Sequence, residues 1–298
     1  MQKIFILLFG IMLLASPVLG DEVDDGLPQG TSPQVRLSAR EMAAAGVPAD
    51  VAAGMTRRMM ENRFRQEQII RAHRTVMAAL KEGLPQTAVI NKANEGMVKK
   101  ASAEAVLQAM ENTRSRYSFG YRQAREIARQ EREVRQIGNL IADSLAAGVL
   151  EPDVLRTMEQ LRERERTRSK AESRSGELAV ETFQALRSMT RLGVSGRTAA
   201  EVVCRALEQR FSEREMNSLQ QAFMKGSLQG APEKLAHQYV AAIGRGERAD
   251  DLGGYSVRES GAAKGGAGDR DGSGGGMGGS DGSGGSGHGG GAGGPGGR

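Results

Sequence analysis

The sequence predicts an all-α protein of stacked antiparallel helical hairpins, a repeat bundle or short solenoid, followed by a disordered Gly-rich C-terminal tail. Three observations carry this. The body of the chain is rich in Ala, Arg, Glu, Gln and Met, with no Trp and few aromatic residues, a composition of helix formers. Its apolar residues recur at helical spacing, with Val202, Val203, Ala206, Leu207 and Phe211 in one stripe and Ile127, Val134, Ile137, Ile141 and Leu145 in another. Glycine-centred turns recur 37 residues apart in two places, Gly46-Val47-Pro48 with Gly83-Leu84-Pro85 and Gly193-Val194-Ser195 with Gly230-Ala231-Pro232.

At the N-terminus, residues 1–20 read as a cleavable secretory signal. Lys3 supplies the positive start, Ile4 to Leu14 the apolar run, and Val18 and Gly20 the short residues ahead of a cut before Asp21. A membrane anchor needs about 20 apolar residues, and this run is shorter. No cysteine follows it, which excludes a lipid-modified N-terminus. Residues 21–32, with Gly26, Pro28 and Gly30, read as a disordered lead-in. The body divides into a first helical repeat region, 33–147, and a second, 148–250. Residues 251–298 are mostly glycine with Ser, Asp and Ala. No side-chain burial there offsets the backbone entropy that glycine loses on ordering, so the tail is expected to be coil.

Within the body, Ser38-x-x-Glu41, Thr198-x-x-Glu201 and Ser212-x-x-Glu215 match the capping box that opens a helix. Glu151-Pro152 places a proline at a first helical position. Gly46, Gly83, Gly148, Gly193 and Gly230 each follow a helical stretch and suit left-handed C-caps. Laid without gaps at an offset of 147, residues 46–64 match 193–211 at Gly, Val, an Ala-Ala pair, Arg58 with Arg205, Glu61 with Glu208, and Arg63-Phe64 with Arg210-Phe211. Gly148-Val149 opens a looser third copy. The repeating unit is helix–GV(P)–helix, a hairpin that buries its apolar face only when copies stack.

Gly83-Leu84-Pro85, Asn91-Lys92-Ala93, Glu95-Gly96 and Lys99 resemble a GLP…NKA.EG..K pattern of exported bacterial helical-repeat proteins, which carry several GVP-type repeats and a Gly/Ser-rich C-terminus. The chain departs from the pattern at Asn94 and Lys100. Those proteins have no assigned activity, so the resemblance implies export and helical repeats and no chemistry.

Asn91, Lys92, Glu95 and Lys99 fall at helical spacing and form a candidate partner-binding face. The competing reading is charge pairing along one helix, Glu95 with Lys99. Arg122, Arg125, Arg129 and Arg132 lie within about 60° on a helical wheel and form a candidate anionic-surface contact. Glu126, Glu131 and Glu133 beside them favour a solvated, salt-bridged face over a membrane contact. Met55, Met59 and Met60 could act as soft metal ligands, but the second copy carries Val202, Ala206 and Leu207 there, so they read as core and no metal is expected. Cys204, the one cysteine, aligns with Arg57. Its position is therefore expected to be partly exposed, and it is a candidate for an intermolecular disulfide.

His73 and His237 belong to no metal-ligand or catalytic motif, and no nucleophile elbow, phosphate loop or cysteine pair occurs. The formal net charge of +5 is modest and spread among many acids, and with export it argues against a nucleic-acid partner. The expectation is a non-enzymatic protein without a cofactor, exported to the periplasm or secreted, that binds a protein partner or itself. A periplasmic chaperone-like or stress protein and an anionic membrane-surface protein are the alternatives.

Overall fold

A computed structural model describes residues 18–167, 175–228 and 230–255. The apolar run of the expected signal and the Gly-rich tail beyond 255 lie outside the described residues, as does the Arg-containing stretch 168–174. The described chain forms twelve α-helices and no strand: α1 Val18–Asp25, α2 Pro33–Ala44, α3 Ala49–Glu61, α4 Gln66–Lys81, α5 Gln86–Val98, α6 Ala103–Arg125, α7 Glu131–Ala146, α8 Glu151–Thr167, α9 Ser175–Arg191, α10 Gly196–Glu208, α11 Glu213–Ser227 and α12 Pro232–Gly244.

The turns explain why the hairpins stack. At eight helix ends among the described residues, a residue with positive φ is followed by one whose N–H reaches back five residues, the Schellman arrangement. Val47 N–H donates to Met42 O (3.2 Å), Leu84 to Ala79 O (2.9 Å), Val149 to Ser144 O (3.1 Å) and Val194 to Met189 O (3.1 Å). At four of the glycine turns the side chain after the left-handed residue turns inward: Val47, Leu84, Val149 and Val194 are all buried. Each GV turn therefore ends one helix, pins the next residue in the core and starts the return helix.

The other family of turns escaped the glycine search because its left-handed residue is a cation. Arg63, Lys100 and Arg210 have φ of 59°, 55° and 59°. Phe64 N–H donates to Met59 O, Ala101 to Gly96 O and Phe211 to Ala206 O, each at 3.0 Å. A side chain in that region costs about 1 kcal/mol that glycine avoids. Arg210→Gly is therefore expected to raise stability by about 1 kcal/mol, read as a higher urea midpoint. An unchanged or lower midpoint would show that the arginine side chain compensates for its own strain.

The helices lie in two layers. In the second half α7, α9 and α11 pack side by side in one layer, and α8, α10 and α12 in the other. In the first half α2, α4 and α6 form one layer and α1, α3 and α5 the other. The 147-residue offset holds in space. Helix α3 begins and ends 147 residues before α10, Gly46 answers Gly193, and Arg63 answers Arg210 at the same φ. Met55 and Met59 are buried like Val202 and Ala206 at their repeat positions, so the methionines are core.

Between the halves the alternation breaks. Helix α6 passes straight into α7 through a short loop, and the two form the most extensive helix pair among the described residues. The continuous apolar stripe expected from Ile127 to Leu145 is interrupted there. Glu133 Oε2 accepts from the N–H groups of Arg129 (2.9 Å) and Gln130 (3.3 Å), starting α7 at Glu131. This is a capping box built on glutamine.

Of the three capping boxes expected, Ser212 with Glu215 forms. Ser38 lies inside α2, whose N-cap is Ser32. The N-cap of α10 is Ser195, and Thr198 instead donates its hydroxyl to Glu233 Oε1 (2.6 Å). Cap-like spacing occurs inside helices too, and burial decides the outcome.

The lead-in is not coil. Helix α1 spans the expected cleavage point, and Val23 and Leu27 bury themselves against Ala39, Ala43, Ala49 and Ala53. Arg36 and Arg40 hold Asp24, and Arg57 Nη2 donates to Gly26 O at 2.8 Å. Two apolar side chains and a clamped carboxylate are enough to dock it as a cap on the open end of the stack. The ordered region also runs past 250. Leu252 is fully buried in a 3-10 turn, Asp251–Gly254, and its carbonyl accepts from the Tyr239 hydroxyl at 3.1 Å.

Candidate functional site

Asn91, Lys92, Glu95 and Lys99 all lie on or at the end of one helix. Lys92 Nζ sits 2.8 Å and Lys99 Nζ 2.5 Å from the Glu95 carboxylate. Lys92 and then Lys99 hold the Glu95 carboxyl down to about 2. Arg58 of α3 also donates to Asn94 Oδ1 at 2.9 Å. Much of the polarity of this face is thus spent on its own neighbours.

The four arginines do not form a helical stripe. Arg122 and Arg125 end α6, Arg129 lies in the loop and Arg132 opens α7. All four are exposed, but the chain reverses between them, so the wheel angle computed on one helix does not apply. Arg122 stacks over the Phe119 ring at 5.6 Å, and Glu126 pairs with Arg162 of α8.

Cys204 is 1% exposed, which corrects the expectation of partial exposure. Its repeat partner Arg57 faces α1, whereas Cys204 faces Thr157 of α8, whose Oγ1 lies 3.7 Å from the sulfur. A full helix covers in the second half what a short cap covers in the first. Burial pushes the thiol pKa up, so the sulfur is neither accessible nor ionised for disulfide exchange in the folded state. A thiol-reactive chromogenic disulfide is expected to label Cys204 on unfolding in denaturant and at least a hundredfold more slowly without it. Rapid labelling of the native protein would contradict the packing.

The arrangement that sequence reasoning missed is a buried polar trio. His73 on α4 is fully buried between Ser38 of α2 and Thr56 of α3. Nδ1 lies 3.1 Å from Ser38 Oγ and Nε2 lies 3.0 Å from Thr56 Oγ1. The Thr56 hydroxyl gives its proton to Ala52 O at 2.7 Å. It must therefore accept from the imidazole, so the proton sits on Nε2 and Nδ1 accepts from Ser38. One tautomer satisfies every partner. Burial lowers the His73 pKa to about 4. A serine beside a histidine is the start of a nucleophile–base pair, but no member of the trio is open to solvent, so a substrate has no approach in the folded state. The three residues are 18 and 17 apart in sequence, a spacing set by the hairpin repeat and invisible to motif search.

Several surface grooves among the described residues have room for a small ligand. One of about 640 Å³ runs along α8 beside Leu155, Arg156, Glu159 and Glu163. Another, of about 320 Å³, lies between the starts of α7 and α9, beside Arg132, Glu133, Glu177 and Glu181. Both are lined by alternating charge. Among the described residues no group of three His, Cys, Asp or Glu side chains is placed to hold a metal ion, and no helix is long and apolar enough to cross a membrane.

Large apolar side chains are left exposed in one place above others. Of seven such residues among those described, Leu150, Leu155, Leu192, Met224 and Leu228 belong to the second half. Leu150, Leu192 and Leu228 sit in the three successive turns α7–α8, α9–α10 and α11–α12, at 62%, 37% and 84% exposure. Those turns are neighbours. A Cβ on Gly196 would come within 2.7 Å of Gly148 O, and Ser195 N–H donates to Glu233 at 2.7 Å. The three adjacent turns therefore form a ridge along one edge, each with one exposed leucine. At the repeat positions of Leu192 and Leu228 the first half carries Ala45 and Lys81. No family model, no curated protein and no solved structure matches the chain.

Proposed function

We propose that this is an exported, non-enzymatic helical-repeat protein of the cell envelope, periplasmic or secreted, that acts by binding a protein partner or by assembling with itself. The observation that carries the reading is the leucine ridge. An exposed leucine adds nothing to the core, and one in each of three consecutive turns of one edge supports an apolar component to an interaction surface. The signal-like N-terminus supports export, and the stacked repeats supply an extended surface for a macromolecule.

The test is chemical crosslinking in intact cells followed by purification of the tagged chain, with Leu150→Ser/Leu192→Ser/Leu228→Ser beside the wild type. Because these side chains are exposed, the triple variant is expected to fold normally and to lose the crosslinked species. A crosslinking pattern identical in the two proteins would remove the ridge from the interface. Measurable turnover by the purified chain would remove the non-enzymatic reading.

A further inference from the structure

The two halves share a register but differ in one buried feature. At the repeat positions of Ser38, Thr56 and His73 the second half carries Ala185, Val203 and Gln220. Ala185 and Val203 are fully buried, and Gln220 turns to Ser188 Oγ at 2.7 Å. The second half thus fills the same place without a titratable group. In the first half a single imidazole joins three helices, because His73 of α4 bonds α2 through Ser38 and α3 through Thr56.

We propose that this trio is an acid-sensitive latch: protonation of His73 opens the packing of α2, α3 and α4 while α9 to α12 stay folded. The proton would add at Nδ1, the nitrogen that accepts from Ser38. Both ring nitrogens then donate, and the Ser38 hydroxyl proton must turn away. The hydrogen bonds can be rearranged, but the charge cannot be neutralised where it sits.

The charged groups on the elements packed around α4 are bonded to other partners or exposed, as Glu67, Arg74 and Lys81 of α4 and Arg122 and Arg125 of α6 are. Arg36 and Arg40 of α2 pair with Asp24, Arg57 of α3 with Gly26 O, and Arg58 of α3 with Asn94. On α5, Lys92 and Lys99 pair with Glu95. On α6, Glu104 pairs with Arg71, and Arg114 with Glu82 and Glu111. The acids of α2 and α3, Glu41, Asp50 and Glu61, are exposed. Burial alone accounts for the lowered His73 pKa, with no charge contributing. An imidazolium there gains water only if the helices part. Stacked repeats open locally rather than all at once, and the break between α6 and α7 lies between the latch and the second half.

Hydrogen exchange of the full chain, read by mass spectrometry at pH 7 and pH 4.5 and corrected for intrinsic rates, tests this. Peptides from α2, α3 and α4 are expected to lose at least tenfold in protection at the lower pH, and those from α9 to α12 less than threefold. His73→Gln keeps a donor for Thr56 and an acceptor for Ser38 without the charge, and is expected to abolish the difference between the halves. Should that variant fold poorly, Ser38→Ala/Thr56→Val/His73→Gln copies the packing of the second half and is expected to do the same. Protection lost equally in both halves, lost in neither, or lost from the first half as strongly in either variant would overturn the latch. The outcome does not depend on the ridge or its partner.

Discussion

Gly120→Ala is expected to destabilise the protein by about 3 kcal/mol, although alanine is the better helix former. A Cβ at Gly120 of α6 would lie 2.6 Å from Gly138 O and 3.2 Å from Ala142 N of α7. Both are backbone atoms, so no side chain can swing aside and the two helices must separate. Overpacking of this kind costs about 1–3 kcal/mol even where side chains can adjust, and alanine returns only about 1 kcal/mol of helix propensity. Gly138→Ala meets the Tyr121 ring at 2.4 Å, and that ring is held by a hydroxyl bond to Asn139 at 3.0 Å. A loss of about 2 kcal/mol is expected there. Gly54→Ala is the control. It lies in the interior of α3 with nothing within 4 Å of a new Cβ, and should gain about 0.5–1 kcal/mol. Urea unfolding followed by circular dichroism separates the three. A gain at Gly120 like that at Gly54 would mean that α6 and α7 do not cross as described.

The glycine pair also shows where reading the sequence stopped. Helix type, the GV turns and the duplicated register were legible, because periodic apolar residues and left-handed glycines are local signals. The α6–α7 break was not. Glutamine is a weak N-cap, and Ile127 and Val134 kept the apolar phase across the loop. Arg63, Lys100 and Arg210 hid the second family of turns because none is a residue suited to positive φ; at Arg63 and Arg210 the strain is offset by the burial of Phe64 and Phe211. The α1 cap was hidden by composition. Among Gly26, Pro28 and Gly30 only Val23 and Leu27 carry burial, and they do so against alanines that a stripe search does not mark. The His73 trio and the fate of Cys204 depended on what the neighbouring repeat places opposite each side chain. That is tertiary information, which spacing within one helix does not contain.

Phe211→Ala is expected to cost about 4 kcal/mol, and its position beside Arg210 makes the result diagnostic. Phe211 is fully buried, and truncating a buried Phe costs about 3–5 kcal/mol through lost burial and the cavity left behind. Three further interactions depend on where the ring and backbone sit. The Phe211 N–H closes the Schellman turn on Ala206 O at 3.0 Å, its carbonyl accepts from Arg164 Nη2 at 3.3 Å, and the Arg248 guanidinium lies 4.5 Å over its ring. Arg248 also pairs with Glu215, the carboxylate of the α11 capping box. Loss of the ring therefore loosens the end of α10, the start of α11 and the segment after α12 together. Phe64, at the same repeat position, is 7% exposed, and Arg248 has no counterpart over it. Phe64→Ala is expected to cost about 3 kcal/mol. Adjacent substitutions should thus move the urea midpoint in opposite directions, Arg210→Gly up and Phe211→Ala down. A turn that merely connected two helices would respond to neither.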